Sequence, residues 1–131
     1  MADRLFNPPE GSLEQRVVSA YGSITFGATG AVASFDGIGV SSVVRNSAGN
    51  YTITLEDSYN KFLHWNGSLL DTADSDPQTV GTDPRVDSES ISSGSFDIQF
   101  YNYTDGSAAD PASGAKITWR GDFRNSTVDG Q

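Results

Sequence analysis

His64 is the one histidine among the 131 residues, so any Ser-His-Asp relay in this chain must be built on it. It lies between Leu63 and Trp65 in an apolar stretch, where a histidine that simply completes a strand is the usual outcome. A catalytic base needs a nucleophile and an orienting acid within hydrogen-bond reach, and no Gly-x-Ser-x-Gly elbow supplies the nucleophile. Seventeen Asp and Glu offer carboxylates in plenty, yet none sits in a context that suggests burial and a raised pKa, so no glycosidase pair emerges. Asp71, Asp74 and Asp76 come closest to the oxygen-rich spacing that calcium wants, but the distal bidentate Glu of a calcium loop is missing. There are no cysteines, which removes disulfides, thiolate metal sites and thiol nucleophiles together. The expectation is a chain with no catalytic residue, no metal ligand and no cofactor.

Aromatic side chains are the remaining candidates for chemistry. Trp65, Trp119, Tyr101 and Tyr103 could form a platform on which sugar rings stack. With so few large aliphatics available, the two tryptophans are expected to fill a core instead. Tyr101 and Tyr103 continue the alternating run Phe96-Asp97-Ile98-Gln99-Phe100, so at least one should point outward and could touch a partner. Leu5 and Phe6, followed by Pro8 and Pro9, look like anchors in an extended arm, because two prolines cannot continue a helix or join a central strand.

The elements that must position these residues read as strands. Tyr51-Thr52-Ile53-Thr54-Leu55-Glu56 alternates without a fault, with Tyr51, Ile53 and Leu55 on one side. Short β-prone runs surround it: Arg16 to Tyr21, Ser23 to Phe26, Ala31 to Phe35, Ile38 to Arg45, and Ala115 to Arg120. Asp36-Gly37 predicts a hairpin turn, and Asn66-Gly67 a second one between Phe62–Trp65 and Ser68–Leu70. Leu13 to Tyr21 is the one stretch that could form a helical turn or two. From Asp71 to Glu89 the pattern lapses into acids and prolines, the mark of a long surface loop or a loosely held edge. About eight strands at roughly ten-residue spacing predict a single all-β domain, an antiparallel sandwich or barrel of jelly-roll type. An extended arm over 1–12 would precede a β domain over 13–131.

Charge narrows the partners. Eight Lys and Arg against seventeen Asp and Glu give a net charge of −9, and the cations are scattered singly along the chain. A duplex-binding surface needs clustered cations, so nucleic acid is not an expected partner. No run approaches the length of a membrane span, and Met1 to Phe6 lacks the apolar segment of a secretory signal. Membrane is not expected either.

Two stretches carry a likeness. Val18 to Leu55, including Gly22-Ser23-Ile24-Thr25-Phe26-Gly27-Ala28-Thr29-Gly30-Ala31 and Val40 through Leu55, resembles small structural proteins of tailed bacteriophages. Ala109-Asp110-Pro111-Ala112-Ser113-Gly114 and Arg124-Asn125-Ser126 resemble the closing segment of such proteins. The resemblance implies a virion role: a decoration or cement protein on the capsid exterior, with the major capsid protein and its own copies, as a homotrimer, for partners. Leu5, Phe6, Pro8, Pro9, Tyr101 and Tyr103 would be the partner-binding residues. A tail or head fibre component and a carbohydrate-binding β-sandwich module are the alternatives.

Overall fold

The computed structural model describes residues 17–70, 84–102 and 105–124. Leu5, Phe6, Pro8, Pro9 and Tyr103, and the acids Asp71, Asp74 and Asp76, lie outside them. Eight strands follow one another: β1 Val17–Phe26, β2 Val32–Ile38, β3 Val40–Ser47, β4 Asn50–Leu55, β5 Lys61–Leu70, β6 Arg85–Ser90, β7 Ser95–Gln99 and β8 Lys116–Arg124. They form two antiparallel four-stranded sheets, ordered β2-β1-β8-β5 and β3-β4-β7-β6, packed face to face as a sandwich. The all-β expectation holds, in its sandwich form.

Alternation decides what the sandwich buries. In β4, Tyr51, Ile53 and Leu55 face inward at 4% exposure or less, as their spacing predicts. Ile117, Trp119 and Phe123 do the same from β8, and Phe96 and Ile98 from β7. Aromatic rings make much of the contact between the sheets. Phe26, Tyr51 and Phe100 meet at centroid distances of 5.1–5.8 Å at one end. Phe62, Trp65, Phe96, Trp119 and Phe123 interlock in the remainder of the core. Trp65 and Trp119 are therefore core residues, not a stacking platform.

Three local expectations fail, each for a physical reason. Val17 to Tyr21 is strand, as the β-prone run from Arg16 predicts, and not the helical turn open to Leu13–Tyr21, because β8 pairs with it residue for residue from Val17↔Arg124 to Thr25↔Lys116. The strand runs straight through Gly22, whose missing side chain makes room for the Trp119 indole; a Cβ there would stand 2.7 Å from the ring. Asn66-Gly67 is no turn either. It lies in the middle of β5, where a Cβ on Gly67 would meet the Trp65 ring at 2.6 Å. Asp36-Gly37 stays inside β2, and the chain reverses at Gly39, which holds the positive φ of 84° and passes the chain to the other sheet. In each case packing across the sheet outweighs local turn preference. Arg85–Ser90, within the stretch read as loop or loose edge, is an edge strand beside β7.

Candidate binding face

The outer face of the β2-β1-β8-β5 sheet is where polar and charged side chains gather. On β8, Lys116, Thr118, Arg120, Asp122 and Arg124 point away from the core, alternating with buried neighbours. Strand register places side chains beside them in rows across the sheet. Lys61 and Val17 flank Arg124; His64 and Ser19 flank Asp122; Asn66 and Tyr21 flank Arg120; Ser68 and Ser23 flank Thr118; Leu70 and Thr25 flank Lys116. Strand β2 extends three of these rows with Ile38, Asp36 and Ser34. A bulge between Phe62 and His64, with Leu63 as the extra residue, turns His64 onto this face.

The His64 row tests the relay directly. Ser19 Oγ donates to Asp122 Oδ1 at 2.6 Å, so all three residue types of a catalytic triad share one row. Their order is wrong for the chemistry. Asp122 on β8 stands between Ser19 on β1 and His64 on β5, which separates the serine from the histidine by two strand spacings, about 9–10 Å. The imidazole cannot take a proton from that hydroxyl. What the row does is hold a carboxylate. The Ser19 hydroxyl keeps Asp122 below the usual carboxylate range, with help from Arg120 and the nearby His64, against an opposing effect of burial. Arg120 Nε bonds Asp122 Oδ1 at 3.2 Å, and its guanidinium sits 5.6 Å from the Tyr21 ring centre. Arg120 is thus oriented by a carboxylate on one side and an aromatic face on the other.

Beside these residues runs a shallow groove of about 480 Å³, lined by His64, Asn66, Ser68, Thr118, Arg120 and Asp122. The Asn66 amide and the Ser68 and Thr118 hydroxyls are exposed; Ser68 faces Thr118 across β5 and β8, and Asn66 faces Arg120. Next to the groove, Tyr21 and Ile38 add apolar surface at 47% and 73% exposure.

Charge is distributed unevenly over the described residues. Of their six Lys and Arg, four (Lys61, Lys116, Arg120 and Arg124) lie on this face, in company with only Asp36 and Asp122. The other described residues carry Arg45 and Arg85 against seven carboxylates. Arg45 is spent on Asp110, and Arg85 lies 5.0 Å from the Tyr101 ring centre. Cations that are scattered in the sequence therefore converge in space. The interleaved carboxylates keep them from forming a continuous phosphate track.

Sequence reasoning missed this face, although part of the signal was there. Lys116, Arg120 and Arg124 are four residues apart, which puts all three on one side of a strand. Ending that strand at Arg120 concealed the pattern; pairing with both β1 and β5 carries it to Arg124. Lys61 and His64 could not be added without knowing that β5 is the neighbour of β8. Of the partner-binding candidates, Tyr101 is half-buried, bridged to Ala108 and stacked with Arg85 of β6, on the other sheet. Among the described residues no group of His, Asp and Glu is arranged to hold a metal ion.

A second polar cluster sits at the edge of the other sheet and is structural. Asp110 accepts from Arg45 Nε at 3.1 Å and Nη2 at 2.7 Å, and from the Gly49 N–H at 2.7 Å. The buried Tyr51 hydroxyl donates to the Gly30 carbonyl at 2.6 Å. The Arg45 hydrogen bonds hold Asp110 below the usual carboxylate range, and burial raises Tyr51 above the usual tyrosine range. Together they tie three connecting segments to β4. Comparison of the chain with protein-family models, with curated proteins and with solved structures returns no match.

Proposed function

We propose that this chain is a structural protein of a bacteriophage virion, one that decorates the capsid exterior by docking on the major capsid protein shell. The observation that supports a docking role is the charge segregation: a net charge of −9 overall, with four of six described cations on one sheet face. Such a face steers the protein onto an acidic surface in one orientation and leaves its acidic remainder toward solvent. Arg120, pre-oriented by Asp122 and Tyr21, is the central contact; Tyr21 and Ile38 supply apolar area beside it. The likeness of Val18 to Leu55 to phage structural proteins supports the virion setting. Several copies on a symmetric shell gain avidity from individually weak contacts.

The deciding experiment is mass spectrometry and electron microscopy of purified particles encoding the chain. Hundreds of copies arrayed on the outer shell are the expected result; absence from the particle would overturn the reading. Binding to particles stripped of the protein should weaken more than tenfold in a Lys116→Glu/Arg120→Glu double variant and should fall with added salt. A carbohydrate-binding module is the second reading, favoured by the Asn66, Ser68 and Thr118 groups lining the groove, which suit ligand hydroxyls. A glycan array in which wild type binds and Asn66→Ala does not would put it first.

A further inference from the structure

Strand β2 is the edge of its sheet, and from Ala33 to Ile38 every residue is exposed. Edge strands present unpaired N–H and C=O groups, and proteins that avoid pairing blunt such edges with lysine, proline or bulges. Val32-Ala33-Ser34-Phe35-Asp36-Gly37-Ile38 has neither lysine nor proline; a bulge takes Ala33 out of register with β1, and Ser34 to Ile38 pairs without interruption. It exposes Phe35 at 41% and Ile38 at 73% instead.

The backbone groups that face outward can be assigned. Gly37 N–H donates to its own Asp36 Oδ1 at 2.8 Å, so it is not spent on β1. A Cβ on Gly37 would stand 2.9 Å from Gly22 Cα, which fits the closer, non-hydrogen-bonded kind of cross-strand pair. Phe35 and Gly37 therefore turn their N–H and C=O toward the open edge, and Phe35 is the middle residue of β2.

We infer that β2 pairs with β2 of a second copy, antiparallel about a two-fold axis through Phe35 and normal to the sheet. In this register Phe35 faces Phe35 and Ser34 faces Asp36, and the bulge at Ala33 ends the regular pairing. Apolar meets apolar, and a hydroxyl donor meets a carboxylate. Gly37 N–H occupies only Oδ1 of Asp36, which leaves Oδ2 for the Ser34 hydroxyl of the other copy. Centring the axis on Ser34 sets Phe35 against the bulged Ala33, and centring on Asp36 sets two carboxylates face to face, which destabilises. Axes between residues are excluded because they would join the core side of one sheet to the solvent side of the other. The charge pattern and the position of the bulge thus select one register and one occupant.

The pairing has a consequence for docking, which rests on the proposed function. An axis normal to the sheet turns both cationic faces in the same direction, so the dimer presents two copies of the binding face on one eight-stranded sheet. So short a paired segment makes a small interface, and the dimer is expected to be weak, with Kd in the range of about 1–100 μM typical of transient contacts.

Sedimentation equilibrium of the full chain up to millimolar concentration, together with cysteine cross-linking, tests this. The chain has no cysteine of its own, so Phe35→Cys introduces a single thiol. Opposed residues of a hydrogen-bonded pair have Cα atoms about 5.5 Å apart, within disulfide range. Mild oxidation should link Phe35→Cys into a dimer at least tenfold faster than Ile38→Cys, whose thiols lie at opposite ends of the paired strands. Phe35→Pro, tolerated on an edge, should leave the circular dichroism spectrum unchanged and weaken dimerisation at least tenfold. A wild type that stays monomeric at millimolar concentration, a trimer, or equal cross-linking at the two positions would overturn the inference. None of these outcomes bears on whether the protein is found on particles, so the two readings fail separately.

Discussion

Replacing Asp110 by alanine separates two contributions that share one carboxylate. The side chain takes a bidentate bond from Arg45 and a bond from the Gly49 N–H, with the Tyr51 hydroxyl 3.5 Å away. Arg45 and Asp110 side chains are 34% and 23% exposed, so their ion pair is partly screened by water. Pairs of this kind contribute about 0–1 kcal/mol. Gly49 is buried, and its N–H would lose its acceptor; a hydrogen bond to a charged group is worth about 1.5–3 kcal/mol. Water entering from the exposed side recovers part of this, which places Asp110→Ala near 2 kcal/mol, or a fall in Tm of about 6–10 °C at this chain length. Asp110→Asn keeps an oxygen for Gly49 and should cost about half as much. Urea and thermal denaturation followed by circular dichroism measure all of these. The reasoning is refuted if Arg45→Ala destabilises as much as Asp110→Ala, because the ion pair and not the backbone bond would then carry the effect.

Two further expectations concern packing and pH. Gly22→Ala drives a methyl into the Trp119 indole at 2.7 Å, an overpacking that should cost about 1–3 kcal/mol and shift tryptophan fluorescence. Asp110 and Asp122 are both held below their ordinary range, so their contribution to stability is present above the unfolded carboxylate value near pH 3.9 and lost as pH falls through the lowered folded values. Tyr51 is shifted the other way: its contribution is complete below about pH 10 and declines above it. Tm measured against pH should show an acid limb that flattens in an Asp110→Asn/Asp122→Asn variant and an alkaline limb that flattens in Tyr51→Phe; unchanged limbs would contradict the assignments.

Much of the fold is legible in the residues themselves. The faultless alternation of Tyr51 to Leu55 and of Phe96 to Phe100 identifies two strands and their buried sides, because period two has one reading on a half-buried sheet. Scarce aliphatics and abundant aromatics indicate correctly that tryptophans would be core. Turn signals fared worse. Asp36-Gly37 and Asn66-Gly67 have the composition of hairpins, yet one lies in an edge strand and the other beneath Trp65. Glycine at a turn and glycine under an indole are the same letter, and only the neighbouring strand distinguishes them.

The binding face belongs wholly to the tertiary structure. Composition by itself determined a net acidic, cysteine-free β chain. It could not reveal that Lys61 and His64 lie beside Arg124 and Asp122, since those pairs are about 60 residues apart in sequence and adjacent only because β5 joins the sheet next to β8. The same strand order sets Asp122 between Ser19 and His64 and so dismantles a triad that residue types alone would allow. Side-chain types and their period are local properties of the chain. Which strand lies next to which is settled by the burial of one shared core, and the character of the outer face follows from that choice.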